Sequence, residues 1–137
     1  MRELAGWGRE RDVELVVAAE ARGFILGAAI ARELRVGFGP ARKPGKLPHE
    51  TVSAEYMLEY GVDTLELHAD ALAHGTRVLV HDDLIATGGT ARAVSNLVER
   101  LGGVVAGAAF VIELAFLHGR EKLPDLDFHA LVTYDHG

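Results

Sequence analysis

The 137-residue chain contains no cysteine, which excludes a disulfide framework and any thiolate metal site and leaves the redox compartment open. It has no apolar run approaching the roughly 18–20 residues that a membrane helix needs. Met1–Glu10 is charged and lacks the apolar centre of a secretory signal. The expectation is a soluble, cytoplasmic protein with no membrane partner. Positive charge is also scarce. A formal net charge of −6 argues against broad nucleic-acid binding, which needs a basic face to neutralise phosphates. The seven histidines show no i, i+4 pairing with a nearby acid, so no metal set is expected. There is no internal repeat, low-complexity tract or second-domain linker. Hydrophobic residues make up 49% of the chain, enough for one core, and residues 1–137 are expected to form a single domain.

The periodicity predicts alternating elements. Arg2 to Arg11 reads as a short helix with Leu4 and Trp7 on one packing face. Val13 to Ala18 reads as a buried strand. Gly23 to Leu34 is a helix carrying Leu26, Ile30 and Leu34 at a spacing of four, with Gly37 as its stop and Val36 to Ala41 as the next strand. Residues 42–55 break the pattern. Arg42-Lys43-Pro44-Gly45-Lys46-Leu47-Pro48-His49-Glu50 holds two prolines, a glycine and three cations, and is expected to be a mobile loop. Glu55 to Tyr60 and Thr64 to His68 read as a strand pair turning at Gly61. Arg77 to His81 is a core strand, Thr90 to Leu101 a helix, and Val104 to Leu114 and Phe128 to Tyr134 the last strands. Strands alternating with helices imply an α/β fold with a parallel sheet, which binds ligands at the carboxyl ends of its strands.

One run carries chemistry: Val78-Leu79-Val80-His81-Asp82-Asp83-Leu84-Ile85-Ala86-Thr87-Gly88-Gly89-Thr90. It joins a strand to a helix, whose first N–H groups and partial positive charge suit a phosphate. Gly88 and Gly89 let the backbone approach an anion with no Cβ in the way. Thr87 and Thr90 add hydroxyl donors. Asp82 and Asp83 would repel phosphate at contact, but a few ångströms away they suit sugar hydroxyls. The run thus specifies a sugar at one end and its phosphate at the other. No G-x-x-x-x-G-K-[ST] loop occurs. Gly102 to Gly107 precedes a strand, the wrong place for a dinucleotide fingerprint. His81, inside the strand, is expected to be packed and hydrogen-bonded rather than a base.

The segment Val78–Thr90 resembles the phosphoribosyl-pyrophosphate motif of the type I phosphoribosyltransferases. Glu20-Ala21-Arg22-Gly23-Phe24, Arg42 to Pro48, Leu58-Glu59-Tyr60-Gly61, Ile112-Glu113-Leu114 and Gly119-Arg120-Glu121-Lys122-Leu123 resemble, in family order, the adenine phosphoribosyltransferases. The resemblance implies the type I fold, a central parallel sheet flanked by helices with a flexible loop at about residues 43–60. It implies purine salvage, with ribose 5-phosphate passing from phosphoribosyl pyrophosphate to N9 of adenine, giving AMP and pyrophosphate. Asp82 and Asp83 would hold the ribose hydroxyls, and Ala86, Thr87, Gly88, Gly89 and Thr90 the 5′-phosphate. Arg22, Arg42, Lys43 and Lys46 would contact pyrophosphate, and Glu59 would act near the reacting base. Mg²⁺ would be held mainly by the substrate, with no direct protein ligand.

Arg42 matches a family position that can reach a neighbouring subunit's site, which implies a homodimer. Glu20–Ala21 matches a position where the family can carry a cis peptide. The family's N-terminal segment, much of the hood over the purine, has no counterpart before Val13 beyond one short helix. The donor half of the site is therefore expected to be complete and the hood incomplete. Two other readings stay open at this point: a donor-binding regulator without catalysis, and an enzyme for another purine such as xanthine or guanine.

Overall fold

The computed structural model describes residues 2–58 and 61–137. Its elements are α1 (Arg2–Glu10), β1 (Leu15–Ala19), α2 (Arg22–Leu34), β2 (Gly37–Ala41), β3 (Thr51–Leu58), β4 (Gly61–His68), β5 (Arg77–Ile85), α3 (Gly89–Arg100), β6 (Val104–Leu114) and β7 (Phe128–Tyr134). Five strands form one sheet in the order β2-β1-β5-β6-β7, with every neighbouring pair parallel. The chain winds from β1 outward to β2, then resumes at β5 and winds the other way. The order therefore reverses between β1 and β5, and their carboxyl ends flank the crevice where such sheets bind ligands.

All five residues of β1 are buried, as expected of a strand covered on both faces. Leu15, Val17 and Ala19 join Val78, Val80, Val94, Leu97, Val98 and Phe110 in the core under α3. Val16 and Leu79 point the other way, into a second core with Leu4, Ala5, Ile30 and Ala31 of α1 and α2. Gly27 lets α2 lie close on the sheet, since a Cβ there would come within 2.8 Å of the Ala18 side chain. The helix does not stop at Gly37, as the sequence suggested. It is closed by Arg35 in the left-handed conformation at φ 59°, whose N–H returns to the carbonyls of the last turn, and Gly37 opens β2.

Strands β3 and β4 form a separate antiparallel hairpin with continuous register from Thr51↔His68 to Leu58↔Gly61. Gly61 is thus a strand residue. The expected loop is shorter than 42–55, because Thr51 already pairs and Val52, Ala54 and Tyr56 alternate inward against the core. Arg42 and Glu66 exchange backbone hydrogen bonds, tying the hairpin to the end of β2. Leu65 and Leu67 anchor it in the main core.

Strand β5 also runs four residues further than its apolar stretch. Its pairing with β1 ends at Ala18↔His81, whereas its pairing with β6 continues to Ile85↔Glu113. Asp82–Ile85 therefore have a ladder partner on the β6 side only. The opposite edge faces the switch-point crevice.

Candidate active site

The crevice holds a cavity of about 190 Å³ lined by Arg22, Asp82, Leu84, Ile85 and Phe110, and by the turn and first residues of α3 from Ala86 to Ala91. Gly88 sits at φ 87°, a conformation that side chains resist, and a Cβ there would stand 2.5 Å from the Gly119 carbonyl oxygen. It caps α3 without offering a side-chain acceptor. The first-turn N–H groups of the helix are therefore left for an anion. Thr87 and Thr90 line the same cavity, so all five residues expected at a phosphate are brought together.

The two aspartates have different surroundings, although their carboxyls adjoin. Asp82 lines the cavity, and its Oδ1 accepts a hydrogen bond from the Asp83 backbone N–H at 2.8 Å. Burial first, and then the adjoining Asp83 carboxyl, push the Asp82 pKa well above the usual carboxylate range. Asp83 points toward α2, where its Oδ2 lies 3.4 Å from Arg22 Nε and its Oδ1 is buried without a partner among the described residues. Arg22, at the first turn of α2, thus touches one aspartate and shares the cavity of the other.

His81 is fully buried on the α2 side of β5, where its Nδ1–H donates to the Ala109 carbonyl at 2.9 Å. Burial lowers its pKa to about 4, so it stays neutral near pH 7. This is the packed residue that the sequence predicted, not a base.

The loop cations are gathered elsewhere. Glu20 Oε1 accepts from Arg42 Nε at 3.1 Å and from the Lys43 backbone N–H at 3.0 Å, while Oε2 lies 3.7 Å from Lys46 Nζ. These partners, led by the Lys43 N–H, hold the Glu20 pKa below the ordinary value. Lys43 Nζ pairs with Asp63 at 3.1 Å, and the Tyr56 hydroxyl donates to the same carboxylate. Arg42, Lys43 and Lys46 therefore adjoin the Glu20 end of β1 but do not line the cavity. The Glu20–Ala21 peptide is cis. Glu59 lies outside the described residues. Among the described residues, no group of three or more His, Asp or Glu side chains is placed to hold a metal ion.

Four contributors were given no role by the sequence. Glu20 and Asp63 hold the cations from distant parts of the chain; Glu20 stood in a family-like motif with no role for its carboxylate, and nothing local marks Asp63. Phe110 reaches the cavity because β6 pairs it with Asp82. Gly119 backs the loop, and its only signal was a place in a quoted motif.

A parallel sheet that reverses direction at an anion cradle, with a carboxylate beside it, is the type I phosphoribosyltransferase fold. Residues 2–133 match the phosphoribosyl transferase domain family. The chain is 53% identical over 134 residues to an adenine phosphoribosyltransferase of Streptococcus uberis, covering 98% of this chain and 78% of that one. The crystal structure of adenine phosphoribosyltransferase from Thermoanaerobacter pseudethanolicus superposes with a TM-score of 0.94 at 53% identity, covering 97% of this chain and 77% of that one. The Saccharomyces cerevisiae enzyme, in complex with an imino-altritol bisphosphate and adenine, superposes at 0.88 with 42% identity over 95% of this chain and 73% of its own. The chain belongs to the adenine phosphoribosyltransferase family.

Proposed function

We propose that this chain transfers ribose 5-phosphate from phosphoribosyl pyrophosphate to adenine, and that the residues assembled around β5 and α2 divide the work. In the reaction, N9 of adenine forms a bond to C1′ of the ribose, the C1′–oxygen bond to pyrophosphate breaks, and the N9 proton is released. The observation that carries the reading is the cavity at the end of β5, where Asp82 and the cradle Ala86–Thr90 face one small space. The cradle N–H groups and the hydroxyls of Thr87 and Thr90 hold the 5′-phosphate. Asp82 and Asp83 accept hydrogen bonds from the ribose hydroxyls and so fix the sugar relative to its phosphate. Arg22 stands beside both carboxylates. Arg42, Lys43 and Lys46 turn from Glu20 and Asp63 toward the pyrophosphate, whose negative charge grows as it leaves. Glu59 acts beside the base.

Mg²⁺ would enter with the donor and be held mainly by it rather than by a direct protein ligand, and the hard oxygens of Asp82 and Asp83 near the cavity are compatible with such an ion. When bound with the donor it neutralises pyrophosphate, and it needs few protein ligands because phosphate oxygens and water complete its shell. The active species is a homodimer. In support, Ile25 exposes 78% of its surface on α2 beside the site.

The test is to incubate the protein with donor, Mg²⁺ and each purine base, and to measure nucleotide and pyrophosphate. AMP from adenine, with little product from guanine or xanthine, is expected. Asp82→Asn combined with Asp83→Asn should cut donor affinity at least tenfold, and Glu59→Gln should slow the single-turnover rate. Unchanged donor affinity in the double variant would remove the sugar assignment. Donor binding without product from any base would instead mark a regulator.

A further inference from the structure

Behind the phosphate cradle lies a second cluster that the reaction does not use. Glu113, near the carboxyl end of β6, is only 3% exposed. Its carboxylate receives both prongs of the Arg120 guanidinium, Nε to Oε2 and Nη2 to Oε1, each at 3.0 Å. The Thr133 hydroxyl of β7 donates to Oε1 at 3.3 Å. The guanidinium carbon lies over the Phe128 ring, 4.1 Å from its centre, and Phe128 packs on Phe110 of the cavity wall. A fork of two charge-assisted hydrogen bonds with an aromatic stacking face leaves Arg120 little freedom.

The residue that Arg120 fixes most directly is its neighbour. Gly119 packs so tightly on the cradle that a Cβ on it would lie 2.6 Å from the Ala86 carbonyl oxygen and 2.8 Å from the Ile85 side chain. From the other side, Gly88 meets the Gly119 carbonyl. The segment from Ala115 to Lys122 is two short 3₁₀ turns, with His118 between them at φ 58°. Such turns do not hold a fixed position by their own hydrogen bonds. Besides the burial of Leu123, the clamp on Glu113 ties this segment to the sheet.

We infer that Arg120, clamped between Glu113 and Phe128, is a positioning residue that presses Gly119 against the phosphate cradle and keeps Gly88 in its anion-binding conformation. It touches no reacting atom. Its effect is preorganisation: the cradle N–H groups are already aimed when the donor arrives. The fork also neutralises a buried carboxylate one strand away from a phosphate site, at the level of Ile85. The inference rests on the reading of Ala86–Thr90 as the 5′-phosphate site.

Ribose 5-phosphate and pyrophosphate probe the two halves of the site separately. In Arg120→Gln, ribose 5-phosphate should bind about tenfold more weakly by calorimetry, while pyrophosphate binding stays within twofold. The donor KM should rise by a similar factor, with kcat at saturating donor little changed. Arg120→Lys, which restores the charge but not the fork, should recover only part of the loss. Phe128→Leu, which removes the stacking face and keeps the ion pair, should give a weaker effect of the same kind. Equal weakening of both ligands in Arg120→Gln, or unchanged ribose 5-phosphate binding, would overturn the inference. The Asp82→Asn, Asp83→Asn variant separates the failures. If it also leaves ribose 5-phosphate binding intact, the site assignment is wrong; if it weakens binding and Arg120→Gln does not, only the positioning role is.

Discussion

At the end of β5, most residues that line the cavity come from one run of chain, Asp82 to Ala91, with only Arg22 and Phe110 added from α2 and β6. Their geometry is set by covalent constraint: a glycine at positive φ, a helix start, and a contact between two glycines. In the loop at 42–46 the ligand-facing groups are long side chains. Their partners, Glu20 and Asp63, come from β1 and β4. Lys43 and Lys46 are each 51% exposed. One region is fixed before anything binds. The other is held by ion pairs. On the proposed reading, a rigid end would recognise the part of the donor that does not react, and an exchangeable end would meet the part that leaves.

Three measurements sharpen or break this contrast. The largest effect is expected at Gly88. Gly88→Ala places a Cβ against the Gly119 backbone and forces an alanine into a left-handed conformation. It should cost about 2–4 kcal/mol of stability and lower donor affinity more than tenfold. A variant that melted and bound donor like the parent would show the cradle to be pliant.

The next effect is pH-dependent and differs between the two regions. His81 has a native pKa of about 4, below its unfolded value of about 6.5. The unfolded chain therefore takes up a proton first, so His81 by itself lowers stability by on the order of 3 kcal/mol as pH drops from about 6.5 to about 4, while the raised Asp82 pKa acts in the opposite sense over much of that range. The Glu20 pKa is also lowered, so its contribution is present above the unfolded carboxylate value, near 4.5, and is lost as pH falls below it. The His81 part is therefore read as a difference: relative to the parent, His81→Leu should gain melting temperature as pH falls from about 6.5 to about 4, and Glu20→Gln should lessen the loss below about 4.5. A His81 variant with an unaltered slope above pH 4.5 would remove that assignment.

The smallest effect is expected at Asp63. Freeing Lys43 by Asp63→Asn should tighten pyrophosphate binding by no more than about fivefold, the scale of an exposed ion pair. Weaker binding would mean that Asp63 aims the lysine rather than restraining it.

The same contrast explains what could be read from the sequence. The phosphate cradle was legible because its determinants are contiguous and their chemistry is local. Strands β6 and β7 were legible because Gly102-Gly103 precedes the first apolar run and Pro124-Asp125 and Asp135 flank the second. The extension of β5 through Asp82–Ile85 was not, since polar residues end the apolar run while pairing with β6 continues. Thr51–Ala54 was read as loop because its pattern follows two prolines, and only pairing with β4 makes it a strand. The stop of α2 at Arg35 depends on a backbone conformation that arginine adopts rarely, so Gly37 looked the better choice. The cations were visible in the loop, but the carboxylates that hold them lie about twenty residues away.

The meeting of Gly88 and Gly119 also limits how the chain can change in length. Everything between them, α3, its turn and β6, acts as a spacer whose two ends must arrive at one point. An insertion in either element would shift one glycine past the other, and no side-chain substitution restores a contact made of bare backbone. Tolerance for added residues should lie instead at the opposite rim of the sheet, in the turn before β5, where Asp70, Ala73, His74 and Gly75 are exposed. Loop grafts or reporter tags intended to leave the enzyme working belong there.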